Sequence, residues 1–419
     1  MRIRIETEGV SEAVVRSPPH RAPPPPFGGP PSPEGEESDL AAASCHSFTM
    51  LKLPPLKPDS DQMLHLDALR IVGAVMIVVF HFNRFINLDG RWQAVDDTVK
   101  SFSLIVDLFF LISGYVMAAI YTGRITTFAK YRDFLQKRVA RLGPLHWATM
   151  AVFVAIAALG WAGVLNEHDP SRYDVGCIAQ NVLFVHAWGT CKAQTWNFVS
   201  WAISAEMGLY IALPLIFRLT ALGRWATAAA AFGSLALLLW ISRTGEPFSQ
   251  WTYDFGVARA APGFLLGMLA FQLKGVLARL PFARFVMWAL LAAFFVASFA
   301  GASRTSLLIL VYAIGVAGVA ADAAGVQGGV SARLAPWAQL SFSLYLLHPI
   351  ALKIALNWVG HAAWGLNGDT MRLWCLLWLI LLIPIAYLSL VAFERPARDL
   401  LAGLGKARKP KALGPSVAP

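Results

Sequence analysis

Leu66-Asp67-Ala68-Leu69-Arg70-Ile71-Val72-Gly73-Ala74-Val75-Met76-Ile77-Val78-Val79-Phe80-His81-Phe82 is an apolar run that opens on an arginine and carries a histidine near its far end. At about 100° per residue, eleven positions bring a helix back to within about 20° of its starting direction, so Arg70 and His81 share one face, roughly 16 Å apart along the axis. A hydrocarbon core is about 30 Å thick, so such a pair reaches from one membrane surface to past the midplane. Charged and titratable groups are costly at that depth and are functional candidates where they occur.

The rest of the chain has the same character. Of its 419 residues, 57% are hydrophobic and only 14% charged, with a mean hydropathy of +0.55. Soluble domains carry about 25% charged residues. The expected fold is therefore an all-α, polytopic transmembrane helix bundle in a lipid bilayer. Apolar stretches long enough to span run over about 67–86, 102–122, 142–165, 198–218, 224–242, 257–273, 284–301, 305–322, 338–358 and 372–393, about ten spans in all. No internal repeat of the kind that marks many transporters is visible. A net charge of +10 on a soluble protein would point to nucleic acid. Here the cations fall mostly in short loops, so no nucleic-acid partner is expected. The loops expected inside, with the C-terminal tail, hold more than twice as many Lys and Arg as those expected outside. That bias predicts a multi-pass plasma (inner) membrane protein with both termini in the cytoplasm.

Residues 1–62 are rich in Pro, Ser, Glu and Gly, include Pro23-Pro24-Pro25-Pro26, and lack the order of a signal peptide. They read as a disordered tail, or as sequence upstream of a start at Met50 or Met63. The transmembrane domain is expected over 63–398 and a basic cytoplasmic tail over 399–419. Cys45 lies in the N-terminal tail and Cys375 in an apolar stretch. Cys177 and Cys191 share one loop, as free thiols or as a pair if the loop faces an oxidising compartment. No metal-ligand spacing is present, and no metal is expected.

Several other polar residues fall in apolar surroundings. If span 2 runs inward, Asp107 lies at nearly the depth of His81. An aspartate there can orient a histidine and raise its basicity, or simply cap the span at the interface. Glu206 is a carboxylate near mid-membrane, to be paired, protonated, facing water, or held in an interhelical hydrogen bond. His348 is mid-span, where on its own it would more often be a satisfied core histidine, and Pro349 after it should kink the helix and free a carbonyl, which suits a cavity wall. Arg138 and Arg141, three apart at the mouth of span 3, suit phosphate oxygens, or serve only as positive-inside anchors. The loop 166–197, with His168, Asp169, Asp174 and His186, is a candidate for choosing an acceptor.

These residues resemble the acyltransferase 3 family of integral membrane acyltransferases. The resemblance rests on Leu66 to Arg70 with His81, Val106-Asp107-Leu108-Phe109-Phe110-Leu111-Ile112-Ser113-Gly114-Tyr115, Arg138-x-x-Arg141-x-x-Pro144, Trp201 to Glu206 with Tyr210, Ser341 to His348, and Phe393-Glu394-Arg395-Pro396. These blocks occur in order over about 67–398. Met207 stands where the family often has a second acid, and Ala202 where serine is common. No hydrolase-like extension follows residue 398, so no fused second transferase domain is expected.

The resemblance implies a ten-helix bundle that moves an acyl group, usually acetyl, from cytoplasmic acyl-CoA to a hydroxyl of a surface or exported carbohydrate. It implies His81 as the catalytic base, Arg70 in the donor channel, and Arg138 and Arg141 in the CoA-binding region. Asp107 and Glu206 complete the expected catalytic set, with Tyr345 and His348 as substrate contacts. The rival class is a polytopic transporter or proton-coupled carrier, since intramembrane His, Glu, Asp and Arg also build proton relays.

Overall fold

The computed structural model describes residues 54–56, 63–86, 92–165 and 172–404. Most of the Pro-rich segment, Cys45, His168, Asp169 and the end of the basic tail lie outside them. Among the described residues there are helices and no strands. In chain order these are α1 (Leu64–Ile86), α2 (Gln93–Ser101), α3 (Ile105–Tyr121), α4 (Phe128–Trp161) and the short α5 (Ile178–Val182). Then follow α6 (Trp201–Ile211), α7 (Leu213–Ala221), α8 (Arg224–Ile241), α9 (Gly256–Gln272), α10 (Lys274–Leu277) and α11 (Ala283–Phe299). The chain continues with α12 (Arg304–Ala323), α13 (Gly329–Leu334), α14 (Ser341–Ala351), α15 (Gly368–Leu388) and α16 (Arg395–Gly403).

Each of the ten apolar stretches falls on a helix. Among the described residues, seven helical stretches are long and apolar enough to cross a membrane, or eight if α6 and α7, bent by 57°, count as one span. The remaining two, α9 and α11, have 17 residues each. Pro349 lies inside α14, and the helix widens into a π-helical stretch, Leu352–Ala363, three residues later.

Helix α1 packs against α3, α12, α13, α14 and α15, so its Arg70–His81 face is enclosed by the bundle. A helix N-terminus leaves N–H groups without intrahelical acceptors. Asp322, at the end of α12, supplies them to α1: its carboxylate accepts from the backbone N–H of His65 at 2.8 Å and of Leu66 at 3.0 Å, and meets His65 Nδ1 at 2.9 Å. That clamp sets the axial position of Arg70.

The most extensive helix contact joins α3 to α9, which run parallel, with Asp107 beside Gly263 and Leu111 beside Gly267. Small residues let helix backbones approach where lipid provides no hydrophobic drive. A Cβ at Gly114 would collide with the backbone of Phe264, and one at Gly267 with the carbonyl of Leu111. Elsewhere, Cys177 and Cys191 form a disulfide with their Cα atoms 5.9 Å apart, and Cys375 is a buried free thiol.

Candidate active site

The two ends of the α1 face open into different cavities, each of about 450 Å³. Arg70 lines one and His81 the other. Val106 of α3 and Tyr345 of α14 line both, so they form the partition between the two spaces. The Tyr345 hydroxyl donates to the Val199 carbonyl at 2.7 Å, which pins the ring across that partition.

The Arg70 cavity holds Arg138, Arg141 and Glu206 as well. Arg70 Nη1 donates to Asp67 at 3.0 Å, one turn earlier on α1. Arg138 lies on α4 among three aromatic rings, its guanidinium carbon 5.2 Å from the Tyr121 centroid, 5.5 Å from Phe134 and 5.7 Å from Tyr210. Its Nη2 donates to the Tyr121 hydroxyl at 2.8 Å. Glu206 on α6 accepts from Ser113 Oγ at 2.5 Å and from the Tyr210 hydroxyl. It is thus held in an interhelical hydrogen-bond network rather than beside a second acid. Three guanidinium groups against one lining carboxylate make this cavity suited to phosphate.

In the second cavity the His81 ring stacks on His348, centroids 5.0 Å apart at 24°, with Phe198 edge-on at 5.0 Å. Among the described residues no hydrogen bond or ion pair joins His81 to a carboxylate. Asp107, expected beside it, is fully buried and serves another residue: Arg259 on α9 donates to its carboxylate from Nη2 at 2.8 Å and from Nε at 3.3 Å. Arg259 also donates to the carbonyls of Trp251 and Ser103 and lies 4.8 Å from the Trp201 ring centroid. The parallel, glycine-mediated contact of α3 and α9 creates this pair, so the partner of Asp107 comes from helix packing rather than from depth alone.

His348 lines neither cavity. It is completely buried behind His81, and its Nδ1–H donates to the Leu344 carbonyl at 3.0 Å. A carbonyl only accepts, so in the neutral ring Nε2 carries the lone pair. Tyr345 does line both spaces. Within the described part of the loop, 172–197, His186 is buried, bonds Ser200 at 3.0 Å and stacks on His146 at 5.7 Å. Burial pushes its ring pKa down to about 3, which keeps it neutral. Asp174 accepts from Gly176 N–H and shapes a turn.

Arg259, Arg304 and Asp322 escape a motif reading. Arg259 carries a signal nonetheless, since an arginine inside an apolar stretch requires an anion nearby. Among the described residues no cluster of three His, Cys, Asp or Glu could hold a metal.

A family model described as an acyltransferase domain matches residues 63–393 of the chain. No curated protein and no solved structure matches it.

Proposed function

The chain belongs to the acyltransferase 3 family and is a multi-pass membrane acyltransferase, and from that premise we propose that it moves an acetyl or other short acyl group from cytoplasmic acyl-CoA to a hydroxyl of an exported or surface carbohydrate. The carrying observation is that Arg70 and His81, on one face of α1, open into separate cavities that share Val106 and Tyr345. The donor phosphates bind near Arg138 and Arg141. The thioester then reaches the partition from the Arg70 side, and the acceptor enters from the His81 side. His81 takes the hydroxyl proton, and the acceptor oxygen bonds to the acyl carbon. The carbon–sulfur bond breaks, and the CoA thiolate leaves and recovers the proton from the imidazolium. The Cys177–Cys191 disulfide lies in a loop that this orientation puts on the non-cytoplasmic side, where disulfides persist.

A positioned general base contributes typically ~10²–10⁴ in rate. His81→Ala in the full chain, assayed with radiolabelled acetyl-CoA and membrane glycans, should lose at least ~10²-fold in transfer while keeping its thermal unfolding midpoint. Near-normal transfer by that variant would refute the assignment. Comparing glycan masses from cells with and without the gene should reveal the acceptor as the sugar that loses an acyl mass.

A further inference from the structure

Two arginines converge on the wall of the His81 cavity. Arg259 reaches it from α9 and Arg304 from the start of α12, and both bond to Ser103. Arg259 Nη2 donates to its carbonyl at 3.3 Å, and Arg304 Nη2 to its hydroxyl at 2.9 Å. Arg304 Nε also donates to Ser249 Oγ at 2.8 Å. Among the described residues one carboxylate, the buried Asp107, is bonded to this pair, and it is bonded to Arg259 alone. Arg304 Nη1 has no hydrogen-bond partner among the described residues, and its side chain lines the cavity. Arg84, Lys100 and Arg172 line the same space, and no Asp or Glu among the described residues does. Lys100 is balanced by Asp96 at 2.5 Å and Asp97 at 3.5 Å, Arg84 and Arg172 have contacts of their own, and Arg304 keeps one arm of its fork open to the cavity.

Two like charges beside a low-dielectric wall repel strongly unless an anion completes the set. Guanidinium forks match carboxylate and phosphate oxygens in geometry as well as charge. We propose that the acceptor is an anionic carbohydrate, bearing a carboxylate or phosphate that Arg304 binds beside Arg259 while a neighbouring hydroxyl faces His81. This rests on the acyl-transfer function proposed above and narrows its acceptor to acidic glycans.

The test measures thermal stabilisation of the purified full chain by three probes of one sugar: methyl glucoside, methyl glucuronide and glucose 6-phosphate. The two anionic probes should raise the unfolding midpoint and the neutral one should not. A stronger response to the glucuronide than to the phosphate would identify the anion as carboxylate, and the reverse would identify it as phosphate. Arg304→Gln should weaken anionic-probe binding roughly 10–100-fold, the worth of a charged hydrogen bond, while leaving stabilisation by acetyl-CoA intact. The inference is overturned if the neutral probe stabilises equally, if no probe stabilises, or if Arg304→Gln weakens acetyl-CoA instead. Failure of the underlying function would look different: His81→Ala would still transfer acetyl, whatever the probes do.

Discussion

At the scale of single residues, the buried pair of Asp107 on α3 and Arg259 on α9 ties two helices together, 2.8 Å from carboxylate to guanidinium. The chain announces a carboxylate in an apolar helix, and such a group needs a partner. Depth offers His81 and the helix end, but the partner is Arg259, 152 positions away. Nothing local encodes that contact. Removing one member of a fully buried ion pair leaves an uncompensated charge and costs about 3–5 kcal/mol. Asp107→Asn should therefore lower the thermal unfolding midpoint of the full chain, and adding Arg259→Met in that background should recover part of the loss. An Asp107→Asn protein as stable as the parent but devoid of transfer would show that the carboxylate serves chemistry and not Arg259. The residues on α1 were more legible, because Arg70 and His81 depend only on helix period, and the structure keeps them on one enclosed face.

At the scale of elements, the apolar stretches were readable because a span needs only enough consecutive apolar residues. How helices meet was not readable from those runs. The α3–α9 contact depends on Gly114, Gly263 and Gly267 lying against backbone of the other helix, and that becomes visible only when the two are placed side by side. Overpacking a tight contact costs roughly 1–3 kcal/mol. Gly267→Ala should thus destabilise the protein by about that amount and, by parting α3 from α9, reduce transfer as the Asp107–Arg259 pair is pulled apart. Gly233→Ala on α8, where an added Cβ meets nothing within 4 Å, is the matched control and should leave the unfolding midpoint unchanged or slightly raised. Equal effects of the two substitutions would remove the close approach as the organising contact. The 57° bend between α6 and α7 and the π-helical stretch after α14 are likewise tertiary outcomes, although Pro214 and Pro349 flag their neighbourhoods.

At the scale of the whole molecule, the bundle presents two cavities of similar size to two ends of one helix face, with a partition of Val106 and the pinned Tyr345 between them. On the proposed function, the Arg70 side takes the donor and the His81 side takes the acceptor from different compartments, and chemistry occurs where they meet. Purified full chain reconstituted in sealed proteoliposomes tests this directly, with acetyl-CoA outside only and acceptor glycan either trapped inside or added outside. Acetylated glycan is expected when the acceptor is trapped inside, none from the same vesicles carrying His81→Ala, and little when donor and acceptor share the outer compartment. Product formed only when both substrates are on the same side would rule out transfer across the partition.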